Sequence, residues 1–531
     1  LKANSKYLAH VLKVTQQGEK RLDEVLTDPK GDVYAFRGTE SPVLVAAAMA
    51  RLSRRGDDMR ITYLDEFADA AGGADDLIKR VVTAYGDDSV QQLVGVHVVV
   101  ENASNLLTKL LEWGRLASYL EQSTRYIYFD ETDAAGKYRY YVPETLKGET
   151  RERYINSMDQ VFKLYSKLVH NLTDYVRVQH PKPADVKERA AWSGATRAQA
   201  CDAIRPLLPV ATKSTVGIFA SAQAIESLIM HLRSEELPEA REAGDKILAE
   251  VRKVIPAFLE RTDLPERGGA TTAYRATTRS ELATLAKKYL PVKPENSADD
   301  VKLLSYWPKD ELKLVPEILF EHTSLPLRTI RDEVSRWGEE QKKEVMRTAI
   351  GERLNRRHKP GRAFEIPHYE FEITADYGSF RDLQRHRMVD AFEWQKLSPD
   401  FGYEIPDLVK EAGLEEQFVH CFNISKRLYA TLVEAGHETE AQYAVLLGNR
   451  MRWRWVLNAR ALFHLLELRT SPQGHPGYRR IGKQMHEAVG AVHPMIAGAM
   501  RFVNKDEDPE LTRLAAERAT QYKLDKLDNK G

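Results

Sequence analysis

Residues 458–469 read Asn-Ala-Arg-Ala-Leu-Phe-His-Leu-Leu-Glu-Leu-Arg. At helical spacing, Asn458, Arg460 and His464 can share one face, while Leu462, Leu465, Leu466 and Leu468 bury most of the remainder. A polar stripe on an otherwise apolar helix needs partners, because each buried group left without one costs ~1–3 kcal/mol. A ligand meets that need, and so do hydrogen bonds between helices. The stretch matters beyond its own helix because it has an echo. It ends in Leu468-Arg469, and an apolar helix in the first half of the chain ends in Leu232-Arg233. Upstream, Arg387 is followed by a polar stretch and then Gly402-Tyr-Glu-Ile-Pro406. Arg115 is followed by a polar stretch and then Tyr140-Tyr-Val-Pro143. These features keep the same order in both halves, which suggests a tandem duplication whose copies have drifted apart.

Between the halves the composition changes. Residues 264–279 hold a Gly pair, a proline and several threonines, and 291–300 add two prolines and acidic residues. Both segments read as a linker. The expected organisation is a first copy over 1–263, a linker over 264–297 and a second copy over 298–531. Most of the chain reads as helix. Ser41-Pro42 opens an alanine-rich helix, and 102–111 and 462–468 carry apolar residues at helical spacing. Strand candidates are 33–36, 97–100 and 369–373, rich in β-branched or aromatic residues. The expected class is α+β, without the alternation of a doubly wound sheet.

Of 531 residues, 43% are apolar and 29% charged, ordinary for a soluble globular protein. Lys+Arg and Asp+Glu are both 78, so the formal net charge is zero. That balance argues against a nucleic-acid coat or a polybasic membrane binder. Two isolated cysteines, Cys201 and Cys421, make neither a disulfide framework nor a zinc site and fit a reducing compartment. No apolar run approaches the ~18 residues of a membrane span. The N-terminal residues are too polar for a signal peptide, and the expected location is cytoplasmic. There is no G-x-G-x-x-G, P-loop, H-E-x-x-H or G-x-S-x-G, so the corresponding enzyme classes have no support. His486 and His493 read as surface residues rather than metal ligands. Residues 450–455, Arg-Met-Arg-Trp-Arg-Trp, mix cations with aromatics as single-strand binders do, but on a helix they would not share a face and read as core plus surface.

Two polar clusters could carry chemistry. Glu121-Gln122-Ser123-Thr124-Arg125-Tyr126 offers hydroxyls and a guanidinium fork that can hold a phosphate, with Arg205 as a second cation. It also reads as a solvated loop. Arg385-His386-Arg387 suits an anionic or electron-rich cofactor, or an exposed basic turn of helix.

Together these residues resemble the flavin-dependent thymidylate synthase (ThyX) family, twice over, across roughly residues 30–262 and 298–505. The family pattern is Arg-His-Arg, then Ser-x-Arg, an arginine shortly before Leu-Pro, and an Asn-x-Arg helix ending in a functional arginine. The first copy keeps Ser123-Thr-Arg125 and Arg205 before Leu208-Pro209 but has lost the leading Arg-His, and Ser221-Ala-Gln223 stands for Asn-x-Arg. The second copy keeps Arg385-His386-Arg387 and the run from Asn458 to Arg469. It has Glu393-Trp-Gln-Lys-Leu in place of the nucleotide segment and Gln442 at the position of the phosphate arginine. The losses are reciprocal. Because the family's site is built across a subunit interface, a fused pair needs only one complete set.

The resemblance implies two ThyX-like domains, each a helix-rich bundle packed on a small mixed or antiparallel sheet, forming a pseudo-dimer with one composite site. It implies reductive methylation of dUMP to dTMP, with FAD as cofactor and NADPH and methylene-tetrahydrofolate as co-substrates. Arg469 would be the catalytic residue. Glu121, Gln122, Ser123, Arg125 and Arg205 would bind the nucleotide. Arg385, His386, Arg387, Asn458, Arg460, His464 and Glu365 would hold the flavin, and no metal is implied. A homodimer of this chain would correspond to the family's tetramer, with no nucleic-acid or membrane partner. Two departures bear on the substrate. Asp382 stands where the family has Gln, three residues before Arg-His-Arg, and Asp390 replaces a serine just after it. A related flavoenzyme acting on another nucleotide, or an inactive binding protein of the same fold, are the alternatives.

Overall fold

The structure, a computed structural model, describes residues 14–30, 33–38, 40–51, 58–68, 89–290 and 300–506, with short pieces at 514–515, 518–519, 521–523 and 526. The class is α+β, dominated by helix, with two small sheets. The first half runs β1 (Gly95–Ser104), α1 (Asn105–Leu111), β2 (Ala117–Glu121), α2 (Gly148–Gln179), α3 (Arg189–Ile204), β3 (Lys213–Ser221), α4 (Ala222–Arg233) and α5 (Pro238–Val251). After an added strand, β4 (Val301–Trp307), the second half runs β5 (His368–Asp376), α6 (Tyr377–Gln384), β6 (Ala391–Trp394), α7 (Glu415–Glu434), α8 (Glu438–Ala441), β7 (Arg450–Asn458), α9 (Ala459–Arg469) and α10 (Pro476–Val492). Setting aside short turns, and the helices before β1, after α5 and between β4 and β5, the two halves repeat one element order, with α8 a shortened counterpart of α3. The sheets repeat it too: β1-β3-β2 in one, and β5-β7-β6 with β4 added at the β5 edge in the other.

Each strand-to-helix turn is built the same way. The last residue of the strand caps the helix with its side chain, satisfying an N–H that the first turn leaves without a partner. Ser104 accepts from Leu107 N at 3.0 Å, Ser221 from Ala224 N at 3.3 Å, Asp376 from Ser379 N at 2.7 Å and Asn458 from Ala461 N at 2.8 Å.

The chain gathers into two compact units that do not follow its halves. One comprises residues 1–101, 113–121 and 215–291, and the other 102–112, 122–214 and 292–531. In the first unit, β2 pairs antiparallel with β3. Ile225, Ile229, Ile247 and Phe258 are buried there, and Glu226 accepts from Arg261 at 3.1 and 3.0 Å.

In the second unit, α2 packs on α7, burying Phe162, Tyr165, Phe418 and Cys421. Equivalent segments of the two halves pair here. The short turns Arg205–Leu207 and Gln442–Ala444 are offset by 237 residues (442 minus 205). Val210 N donates to Val445 O at 2.8 Å, and Leu447 N donates to Leu208 O at 2.8 Å. By that offset Val445 is the counterpart of Leu208, and Leu447 of Val210. Such reciprocity is the pattern of an isologous contact, in which i meets j as j meets i. The approach is close: a Cβ on Gly448 would lie 2.6 Å from Pro206 Cβ.

Several expectations are corrected. Most of the segment read as linker is a helix, Gly268–Tyr289, largely exposed; its alanines and long polar residues favour helix. Residues 291–299 lie outside the described residues. Residues 33–36 form no strand, only an isolated bridge between Leu26 and Phe36. Helix α1 starts at Asn105, three residues later than its apolar spacing suggested, because Asn102 has a positive φ of 56° and Ser104 caps. Residues 450–455 are strand, not helix. In β7, Met451, Trp453, Trp455 and Leu457 point into the core and the arginines alternate with them. Arg454 pairs across the sheet with Glu370 at 2.5 Å and Glu393 at 2.8 Å. His486 and His493 are buried, not on the surface. His493 lies 2.6 Å from Tyr369 Oη and 2.8 Å from Pro308 O. Among the described residues there is no group of three or more His, Cys, Asp or Glu that could hold a metal ion, and no helix long and apolar enough to cross a membrane.

Candidate functional site

Within the second unit, the cations singled out in the two halves meet. Arg125 follows the loop after β2 and is buried. Its guanidinium makes a fork on Asp202 of α3, Nε to Oδ1 at 2.7 Å and Nη2 to Oδ2 at 2.6 Å. Its third nitrogen donates to Tyr478 Oη on α10 at 3.2 Å. Tyr478 also carries Arg469 over its ring, at 5.4 Å from the centroid, a cation–π contact. Arg469 Nε donates to His386 Nε2 at 2.7 Å. Arg125 of the first half and His386 of the second are thus linked through Tyr478 and Arg469.

A second pair lies in the same cluster. Arg205, buried at the end of α3, donates to Asp382 Oδ2 of α6 at 2.9 Å. A side chain at Gly378 would reach within 3.1 Å of Arg205 Nη2, so the glycine keeps room for the guanidinium. Burial alone would raise the Asp382 carboxyl. Arg205, Arg125 and Arg385 outweigh it and hold the group well below the usual carboxylate range. Asp390, the other unexpected acid, sits apart from this pair, 3.3 Å from His368.

His475 caps α10: its Nδ1 accepts from Gly477 N at 3.1 Å. That leaves Nε2 to donate to Asp202 O at 3.2 Å. Burial, and then Arg205, push its imidazole below the ordinary value, so it is neutral. His386 is also held neutral, by burial first and then by Arg469, His464 and Lys359. It can therefore accept from Arg469. Asp202 and His475 also line a cavity of about 880 Å3 with Tyr175, Pro406 and Arg480. Arginines 125, 205, 385, 387 and 469 do not line it, so it lies beside the cation cluster and shares Asp202 and His475 with it.

The remaining expected residues fall as follows. Ser123 Oγ accepts from Arg125 N at 3.2 Å and fixes the turn. Gln122 holds a buried side-chain oxygen without a hydrogen-bond partner. Glu121 ends β2, in the first unit. Arg385 is exposed just past α6, and Arg387 is half-buried. Asn458 spends its Oδ1 on the cap of α9. Arg460 donates to Pro360 O at 3.0 Å and to Glu365 at 3.4 Å, so these two expected flavin ligands hold each other. His464 is exposed, its ring 5.4 Å from that of His386. Gln442, at the counterpart of Arg205, is buried and accepts from Leu397 N at 3.2 Å.

Asp202, Tyr478 and His475 escaped the sequence reading, as did Arg356 and Lys359. Helical spacing carried a signal for some: Asp202 lies three residues before Arg205, and His475 three before Tyr478. The field around His386 and His464 is strongly positive. Burial, Lys359, Arg356 and Arg469 all lower His464. The nearby Glu467 gives little relief, because both its oxygens are 2.6 Å from Arg353. Crowded cations with their carboxylates already engaged suit an anionic group, and a flavin dinucleotide brings two phosphates. The residues present therefore fit such a cofactor.

With this arrangement in hand, the class follows from the sequence as a whole. The family model described as "Thymidylate synthase complementing protein" matches residues 37–257 and 302–495, and the chain belongs to that family. A UPF0159 protein of Chlamydia muridarum is 31% identical over 522 residues, covering 95% of this chain and 98% of its own length. A flavin-dependent thymidylate synthase of Clostridium tetani is 24% identical over 179 residues, 33% of this chain and 66% of its own. Among solved structures, the UMP/dUMP methylase PolB from Streptomyces cacaoi, bound with 5-Br dUMP, aligns over 38% of this chain and 94% of that one. Its TM-score is 0.31 and its identity 18%, and nothing is drawn from it.

Proposed function

We propose that this chain is a flavin-dependent methyltransferase of the thymidylate synthase type, methylating C5 of a uracil compound at one composite site. In the family's form of the reaction dUMP becomes dTMP, with methylene-tetrahydrofolate and NADPH as co-substrates. The observation that carries this reading is the linkage Arg125–Tyr478–Arg469–His386. It joins the first half's anion-binding arginine to the second half's Arg-His-Arg motif. Family membership supports the reaction class.

FAD, when bound, would supply the hydride chemistry, and Arg385, His386, Arg387, His464 and Arg460 would hold it. The chain's own part is orientation and charge. Uracil C5 becomes nucleophilic when negative charge at N3 or O4 is stabilised, and a fixed guanidinium beside the ring does this. Arg469 fills that role. Its Nε is pinned by the neutral His386, and its guanidinium lies 5.4 Å from the Tyr478 ring centre, so it is set in place before substrate arrives. Ser123, Arg125 and Arg205 anchor the far end of the substrate, with Gln122 beside it. A second reading, that the uracil compound is not dUMP, is favoured by the Arg205–Asp382 pair.

Expression of this chain is expected to rescue a thymidine-requiring strain, and Arg469→Ala is expected to abolish the rescue. Rescue that persists in a stably expressed Arg469→Ala variant contradicts the assigned role.

A further inference from the structure

Both arginines of the anion grip already carry a carboxylate. Arg125 forks onto Asp202 at 2.7 and 2.6 Å, and Arg205 donates to Asp382 at 2.9 Å. Arg205 is 3% exposed and Asp382 9%. Each pair by itself sums to zero charge, with Arg385 and Arg469 as further cations acting on Asp382, and each presents N–H groups next to a carboxylate oxygen. A hydroxyl matches such an edge, because it accepts from one and donates to the other. A phosphate dianion only accepts, and it would lie against two carboxylates.

We propose that the site prefers a uracil nucleoside, ending in a hydroxyl, over a 5′-monophosphate, and that Asp382 sets this preference. The inference rests on the reading that the site takes a uracil compound. Asp382 keeps its charge when buried, because Arg205, Arg125 and Arg385 together outweigh desolvation. The opposite half of the repeat supports the pairing. Helices α1 and α6 are offset by 272 residues (377 minus 105), which puts Leu110 at the position of Asp382. Gln442 stands at the position of Arg205. Where the arginine is missing the aspartate is missing too, as expected if the two charges act as one unit.

Asp382→Asn removes the charge with little change of shape, and Asp382→Gln installs the residue expected from the resemblance. The experiment is calorimetric titration of the flavin-loaded full chain with dUMP and with deoxyuridine. Wild type is expected to bind deoxyuridine at least as tightly as dUMP. Both variants are expected to shift the preference toward dUMP by about tenfold or more, while taking up FAD as wild type does. Wild type that holds dUMP about tenfold tighter than deoxyuridine overturns the proposal, as does an unchanged ratio in the two variants; in either case the uracil reading survives. A flavin-loaded chain that binds neither compound overturns the uracil reading itself, and this inference with it.

Discussion

Single side chains in the site are set by what neutralises them. Arg125 stands out in the sequence beside its hydroxyls, with Arg205 as a second cation, whereas Arg469 is singled out by the family resemblance. Their pairings were not legible, because Asp202, Asp382, His386 and Tyr478 meet them only through packing of distant segments. His475 shows how such a setting becomes measurable. Its imidazole is depressed by burial and then by Arg205, so between the folded and unfolded values the unfolded chain binds the extra proton. Its contribution to stability is full above the unfolded value of about 6.5 and is lost as pH falls toward the folded value. The urea midpoint is therefore expected to drop between about pH 7 and about pH 5. His475→Asn keeps an acceptor for Gly477 N–H and is expected to lessen the drop. A variant that loses stability as steeply as wild type contradicts this assignment.

Secondary elements were legible where a period was clear and flanked by turns. Residues 97–100 and 369–373 lie in β1 and β5, and 462–468 lie in α9. The run Arg450-Met-Arg-Trp-Arg-Trp was misread because tryptophan and arginine suit either element, and only alternate burial distinguishes them. That alternation makes a sharp contrast testable. Trp455 is fully buried, its ring 5.1 Å from that of Phe392. Arg454 lies on the opposite face, in partly exposed ion pairs with Glu370 and Glu393. Trp455→Ala is expected to cost about 3–5 kcal/mol, the range for truncating a large buried aromatic. Arg454→Ala is expected to cost under about 1 kcal/mol, since such pairs are screened by water. Urea titrations followed by circular dichroism distinguish the two, and equal losses contradict the inward placement of the tryptophans. The segment 264–279 reads as linker by its Gly pair and single proline, which stand at or just before the start of a helix rather than inside it.

At the scale of the whole chain, the repeat could be read from motif order, and the element order and the reciprocal pairing of 206–211 with 443–448 agree with it. The compact units could not be read, because they cut across the halves and depend on which segments pack together. Each copy keeps cations that the other lacks. Arg205 has Gln442 as its sequence counterpart, and Arg385-His386-Arg387 has Trp113-Gly114-Arg115. Two equal copies would make two sites; on the proposed function, copies with reciprocal losses make one. The most direct measurement is the visible absorption spectrum of the purified chain titrated with FAD, alongside Arg387→Ala and Arg125→Ala. A yellow protein holding about one flavin per chain is predicted, with Arg387→Ala weakening flavin uptake and Arg125→Ala sparing it. A protein that takes up no flavin, or two per chain, or loses it equally in both variants, contradicts a single site divided between the halves.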